Sequence, residues 1–222
     1  MKTTILKNNE RLDDLQINNK FVIQNPNEYC FTSDSVLLSN FAKCKRDDRV
    51  VDLCSGSGVV GILIQTKTNA KDVVCVELQP QLADMAKRSI EYNNQQNEMH
   101  VVNAPVQDVN KLIGVGYDVV VCNPPYKDAG KGKVSEKENI RIAKHEVKIT
   151  LEEIIKEAST LLKFGGKFYV VNKEERLTDI LVYCRKYRLE PKKIKLVSGG
   201  KGVSVVLVEA KKGGNSGVRI IT

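Results

Sequence analysis

Nowhere in these 222 residues is there an unbroken apolar stretch of about 18, the least a bilayer-spanning helix needs. The opening segment, Met1 to Glu10, turns polar too early to serve as the apolar centre of a secretion signal. Histidine is nearly absent, with only His100 and His145, and the cysteines at 30, 44, 54, 75, 122 and 184 form no CxxC pair. That scarcity leaves no clustered ligands for a zinc centre and no metal is expected; the cysteine spacing also argues against a disulfide framework. Cys54, Cys75 and Cys122 fall in or beside apolar runs and read as reduced small hydrophobes. No internal repeat and no clear domain boundary divides the chain. A soluble, cytoplasmic protein with one substantial core is the expectation.

Positive charge exceeds negative by eight, and it is unevenly spread. From Arg185 onward ten basic residues face only Glu190 and Glu209, so this segment alone carries an excess of eight. A second basic stretch, Lys127 to Lys148, includes Lys127, Arg141 and Lys144. Clustered positive charge favours a polyanionic partner, because neutralising phosphates drives much of the affinity for nucleic acid. Ordinary solvated lysines are the alternative.

From about residue 50 to 188, strand and helix patterns alternate. Val50 to Leu53, Val73 to Glu77, His100 to Asn103, Tyr117 to Cys122 and Lys167 to Val171 read as strands. Between them lie a helix beginning at Val59, one opened by Pro80 that carries Leu82, Met85, Ala86 and Ile90 on one face, and an amphipathic helix from Leu151 to Phe164 that Gly165-Gly166 should stop. A further helix is expected near Glu174 to Tyr187. This order predicts an α/β fold whose parallel sheet is covered by helices on both faces, with ligands bound outside the carboxyl ends of the strands. Lys192 to Val197 and Val203 to Glu209 should close the sheet as an antiparallel hairpin. The first twenty or so residues and Lys211 to Gly217 are expected to be mobile without ligand.

Two motifs carry chemistry. Asp52-Leu53-Cys54-Ser55-Gly56-Ser57-Gly58 joins a strand to a helix, where glycines let the backbone approach a ligand. Glu77 closes the next strand, the place of the carboxylate that accepts ribose hydroxyls in doubly wound folds. An Asp ahead of the glycines would repel a pyrophosphate but suits a cationic amino-acid end, so S-adenosylmethionine fits better than a dinucleotide. The second motif, Asn123-Pro124-Pro125-Tyr126, follows the apolar run Val119 to Cys122. The Asn123 side-chain oxygen and the Pro124 carbonyl can accept the two N–H bonds of a conjugated amine, with Tyr126 stacked on its ring. Such a base must be unstacked to enter, which suits a loop nucleotide.

Taken with Phe31 to Ala42 and Ala143-Lys144-His145-Glu146, these motifs resemble class I, Rossmann-like S-adenosylmethionine methyltransferases, and most closely the bacterial tRNA(Val) adenosine exocyclic-amine methyltransferases that modify the base just 3′ of the anticodon. The resemblance runs from about Phe31 to Glu209. It implies a mostly parallel seven-stranded sheet with a C-terminal antiparallel hairpin. Residues 1–30 would be an N-terminal extension, 31–210 the methyltransferase domain and 211–222 a basic, glycine-rich tail. It implies that Asp52, Ser55, Gly56 and Gly58 line the methionine and ribose side of the cofactor, that Glu77 holds the ribose and that Leu78 packs on the adenine. Asn103 and Ala104 would lie near the adenine amine, Asn103 standing where the family often has an acid. Thr32 and Asp34 would lie beside the cofactor, or else cap a helix over Ser35 to Lys43. Asn123, Pro124 and Tyr126 would be the catalytic set, Asn123 also touching the cofactor, with Pro125, Lys127, Arg141 and His145 toward an RNA substrate, tRNA in the first instance. Methyltransferases acting on release-factor glutamine or on guanine in ribosomal RNA carry the same tetrapeptide. A nucleic-acid-binding module that has lost catalysis is the reading outside these enzymes.

Overall fold

Valine-rich runs with no polar face, such as Val50-Val51, Val73-Val74 and Val119-Val120-Val121, can be stable strands only where both sides of the sheet are covered. The computed structural model describes residues 5–125, 149–199 and 202–221. In chain order the elements are β1 (Arg11–Asp14), β2 (Phe21–Gln24), α1 (Ser33–Phe41), β3 (Arg49–Leu53), α2 (Val59–Thr68), β4 (Asp72–Glu77), α3 (Pro80–Tyr92), β5 (Met99–Asn103), the short α4 (Asn110–Ile113) and β6 (Tyr117–Cys122). They continue with α5 (Leu151–Leu161), β7 (Leu162–Lys173), a 3₁₀ turn (Glu174–Arg176), α6 (Leu177–Lys186), β8 (Leu189–Gly199), β9 (Gly202–Lys212) and β10 (Arg219–Ile221).

One sheet has the order β10-β8-β9-β7-β6-β3-β4-β5, and β3 to β7 run parallel. Alternation divides the core between its two faces. Val51, Leu53, Val74, Val76, Val120 and Val170 pack with Ile154, Ile155 and Ala158 of α5 and Ile180 of α6. Val50, Val73, Cys75, Val119, Val121 and Val171 pack with Leu38 and Phe41 of α1, Val60 and Ile64 of α2 and Ile90 of α3. The expected fold class is therefore present, and all the parallel strands end at one edge.

Three expectations change. The long helix stops at Leu161, not near Gly165, because Leu162 turns extended, buries its side chain and pairs with Tyr117. Gly165-Gly166 lies inside β7, in an irregularity where the pairing jumps from Tyr117/Leu162 to Val119/Lys167, and Gly165 takes the positive φ of 80° that this bulge requires. Among the described residues the sheet has eight strands instead of seven. The added one, β10, follows the Lys211 to Gly217 segment and pairs parallel to β8, with Lys192 Nζ donating to the carbonyls of Asn215 (2.9 Å) and Gly217 (2.8 Å).

The beginning of the chain is likewise packed. Strands β1 and β2 form an antiparallel hairpin laid on α3, where Ile23 N donates to Ser89 Oγ (2.9 Å) and the Asn93 amide exchanges hydrogen bonds with both main-chain groups of Phe21.

The C-terminal positive charge is spread along the sheet: Lys195, level with Val171 through Leu207, stands near the binding edge, whereas much of the rest does not. Lys211 pairs with Lys167, five residues before Asn172, so it lies about 17 Å along the strand from the edge where ligands bind. Much of that charge is used internally: Lys212 Nζ donates to the carbonyls of Ser159 (2.6 Å) and Leu162 (2.8 Å), Lys193 pairs with Glu209 and Arg185 with Glu190.

Candidate active site at the carboxyl edge of the sheet

The turn after β3 gets its shape from left-handed residues at Cys54 (φ 57°), Gly56 (56°) and Gly58 (86°). A side chain at Gly58 would also crowd Ala86 Cβ at 3.3 Å, so both the conformation and the space call for glycine. Glu77, at the end of β4 and 5% exposed, latches this turn: Gly56 N donates to Oε2 at 2.8 Å and Gln79 N to Oε1 at 2.8 Å. Leu78 beside it is 45% exposed, an apolar surface of the kind a flat heterocycle covers. From β5, Asn103 Nδ2 donates to the carbonyls of Glu77 (2.8 Å) and Leu78 (3.0 Å), and Ala104 N to that of Glu77 (3.1 Å). An acid at 103 could not make those two donations, which gives this departure from the acidic pattern a physical reason.

Asp52 lies beneath the turn, 1% exposed, with Oδ2 accepting from Gly61 N at 3.0 Å. Oδ1, like Ser55 Oγ, is a buried polar atom with no hydrogen-bond partner among the described residues. Two orphaned oxygens under a glycine turn, one a carboxylate's, fit a cationic amino-acid group, so the residues present suit S-adenosylmethionine. Burial pushes the Asp52 carboxyl up from 3.8 to about 7, with the neighbouring Glu77 charge adding to the rise and the Gly61 bond opposing it. The folded protein thus holds this proton more tightly than the unfolded chain, and the residue's contribution to stability falls as pH rises from about 4 to about 7. Thermal melts of the ligand-free protein between pH 5 and 8 should show this fall, and Asp52→Asn should flatten it. An identical slope in the variant would mean that Asp52 is ionised throughout.

Two residues unremarked in the sequence anchor this edge of the sheet, one at the glycine turn and one at the end of β6. Gln24, 1% exposed at the end of β2, donates from Nε2 to Ser57 Oγ and accepts from Phe31 N at 2.9 Å. Ser35, in the first turn of α1, accepts from Asn123 Nδ2 at 3.1 Å. Thr32 is the N-cap of that helix, accepting from Asp34 N at 3.4 Å; the helix starts at Ser33 and not at Ser35, so Asp34 lies inside its first turn and Thr32 alone is the cap.

Asn123 follows β6 directly, and because Leu53 pairs with Cys122 it stands beside Cys54 at the start of the glycine turn. Pro124 is buried and Pro125 exposed. Both line a cleft of about 140 Å³ whose other walls include Ile149, Leu151 and Asn172, with Lys173 and Arg176 also lining it. Tyr126, Lys127, Arg141 and His145 lie outside the described residues.

Residues 32–182 match the family described as the methyltransferase small domain. The chain is 24% identical over 136 residues to the tRNA1(Val) (adenine(37)-N6)-methyltransferase of Aliivibrio salmonicida, covering 61% of this chain and 56% of that one. It is 30% identical over 125 residues to the protein of the same name from Cytophaga hutchinsonii, covering 55% and 50%. It thus spans about half the length of the curated relatives it matches. The fold superposes on a predicted O-methyltransferase of Agrobacterium tumefaciens with a TM-score of 0.65, 22% identity and 84% of each chain covered. With its glycine turn, its Glu77 latch and Asn123 side by side at one sheet edge, the chain belongs to the methyltransferase small domain family.

Proposed function

We propose that this protein uses S-adenosylmethionine to methylate the exocyclic amine of an adenosine in tRNA, the adenosine 3′ of the anticodon of tRNA(Val). The observation that carries the reading is the placement of Asn123 and Pro124 next to the glycine turn on neighbouring parallel strands. The relatives from Aliivibrio salmonicida and Cytophaga hutchinsonii, by their names, support the tRNA and adenine assignments.

The lone pair of an adenine amine is delocalised into the ring, so the nitrogen attacks poorly until it is drawn toward tetrahedral geometry. Asn123 Oδ1 and the Pro124 carbonyl are two acceptors for its N–H bonds; together they stabilise the charge that develops there and aim the lone pair. The bound cofactor supplies a methyl on a sulfonium sulfur. Transfer of that methyl would leave the donor as its neutral thioether, and the extra proton on the nitrogen would pass to water. No strong base is needed. Glu77 and Leu78 hold the nucleoside end of the donor, and the charge of Asp52 favours its cationic end.

The cleft beside Pro124 and Pro125 receives the unstacked nucleotide, and Lys173 and Arg176 meet its phosphates. A Lys173→Ala/Arg176→Ala double variant should bind tRNA more weakly and lose about one unit of log–log salt slope per phosphate contact removed. An unchanged slope would put the phosphate path elsewhere.

The activity itself is tested by transfer of a tritiated methyl group from labelled cofactor to bulk tRNA and to release factor, followed by nucleoside mass spectrometry. N6-methyladenosine in tRNA is the expected product. Label in a release-factor glutamine, with none in tRNA, would replace the adenosine reading.

A further inference from the structure

From the amide at the end of β7 we infer that Asn172 helps determine which base is accepted: its NH₂ group donates to a ring nitrogen flanking the amine of adenine. The inference rests on the proposed methylation of adenosine.

Two acceptors, the Asn123 oxygen and the Pro124 carbonyl, hold any NH₂ group alike and cannot tell one base from another. The ring beside the amine can be told apart. Adenine presents a lone pair on both flanks of its amine, at N1 and N7, whereas guanine has an N–H on one flank and cytosine a C–H. A donor set next to the amine is therefore met by adenine in either orientation, and by the other two in one only.

Asn172 supplies that donor. Cys122 pairs with Val170, so two residues further along these parallel strands Asn172 stands level with Pro124, one strand spacing of about 5 Å away. Both residues line the cleft, beside Ile149 and Leu151. Asn172 follows the apolar run Phe168 to Val171 and is itself only 6% exposed. Its two amide ends are told apart by the backbone. Oδ1 accepts from Lys173 N at 2.8 Å, and a main-chain N–H can only donate, so the oxygen end is committed there. Nδ2 makes no hydrogen bond among the described residues, which leaves the NH₂ end for a ligand in the cleft.

The test is a cycle between protein and base, using the full chain and tRNA(Val) that carries adenosine, 1-deazaadenosine or 7-deazaadenosine at the position 3′ of the anticodon. Each analogue keeps the amine and replaces one flanking nitrogen by C–H. Asn172→Ala should lower kcat/KM for the adenosine substrate about tenfold, chiefly through KM, because the contact is made before the methyl moves as well as during transfer. For one of the two analogues, the loss of kcat/KM relative to adenosine should be about tenfold larger in the wild type than in Asn172→Ala. Asn172→Asp keeps an acceptor for Lys173 N, so the end of β7 is held, but it sets a carboxylate oxygen against the ring lone pair. There the same analogue should lose less, relative to adenosine, than it does in Asn172→Ala. Equal losses in the wild type and both variants, for both analogues, would overturn the inference and leave the adenosine reading standing. A wild type that methylates no adenosine in tRNA would end that reading, and this inference with it.

Discussion

Replacing Asn123 by alanine is expected to lower kcat for methyl transfer about a hundredfold or more while changing cofactor affinity about twofold at most. The reasoning is that of differential binding. The amide oxygen gains most from the reacting amine as positive charge builds on its nitrogen, so its loss is felt in the transition state and little in the ground state. The glycine turn is held by Glu77, Gln24 and its own Ser55–Gly58 bond of 2.9 Å, and Asn123 reaches across to Ser35. Stopped-flow or steady-state transfer to tRNA, beside calorimetric titration of S-adenosylhomocysteine, separates the two effects. A large loss of affinity for S-adenosylhomocysteine would show that the residue shapes the donor pocket, and the proposed acceptor role would be withdrawn. Asn123→Asp tests the same point from the other side, since a carboxylate still accepts but loses the donor group that Ser35 binds.

What could be seen in the sequence and what could not follow from the range of the forces involved. The parallel strands were legible because burial on both faces forces near-continuous apolar runs, and α3 because Pro80 and the Leu82, Met85, Ala86, Ile90 spacing are local. The end of α5 was misplaced because Leu162 is decided by Tyr117, a partner 45 positions away, which outweighs the glycine pair three residues on. The packing of the end of the chain was not legible for a similar reason: Lys192 and Lys212 look like solvated charge, and only the fold supplies the carbonyls they bind. In the site, Glu77 and the glycines announced themselves by spacing. Ser35 and Gln24 did not, since their partners lie 88 and 33 positions away and a lone Ser or Gln carries no pattern. Asn103 was seen as a departure, but its use, donating to the turn after β4, needed the two carbonyls in place.

Glu77→Gln should raise the cofactor Kd about a hundredfold and, unlike the change at Asn123, also lower the stability of the free protein by about 1–3 kcal/mol. Both oxygens of the buried carboxylate accept main-chain bonds, from Gly56 and from Gln79, and a carboxylate oxygen can accept more than one bond, a ribose hydroxyl's among them. Glutamine has the same shape but one acceptor oxygen, so its NH₂ must face one of those two N–H groups. Whichever it faces, a buried donor is left without its acceptor, and that sets the stability cost. If Gly56 loses its bond the glycine turn is released; if Gln79 does, the turn that carries Leu78 is. The hydroxyl contacts weaken as well, because bonds to an ionised acceptor are roughly twice as strong as neutral ones. Titration with S-adenosylhomocysteine and urea unfolding of the free protein measure the two effects separately. Wild-type affinity in Glu77→Gln, with the expected loss of stability, would make the residue a latch of the turn alone and move the ribose contact elsewhere. Wild-type stability with lost affinity would mean that the turn holds its shape without the second bond.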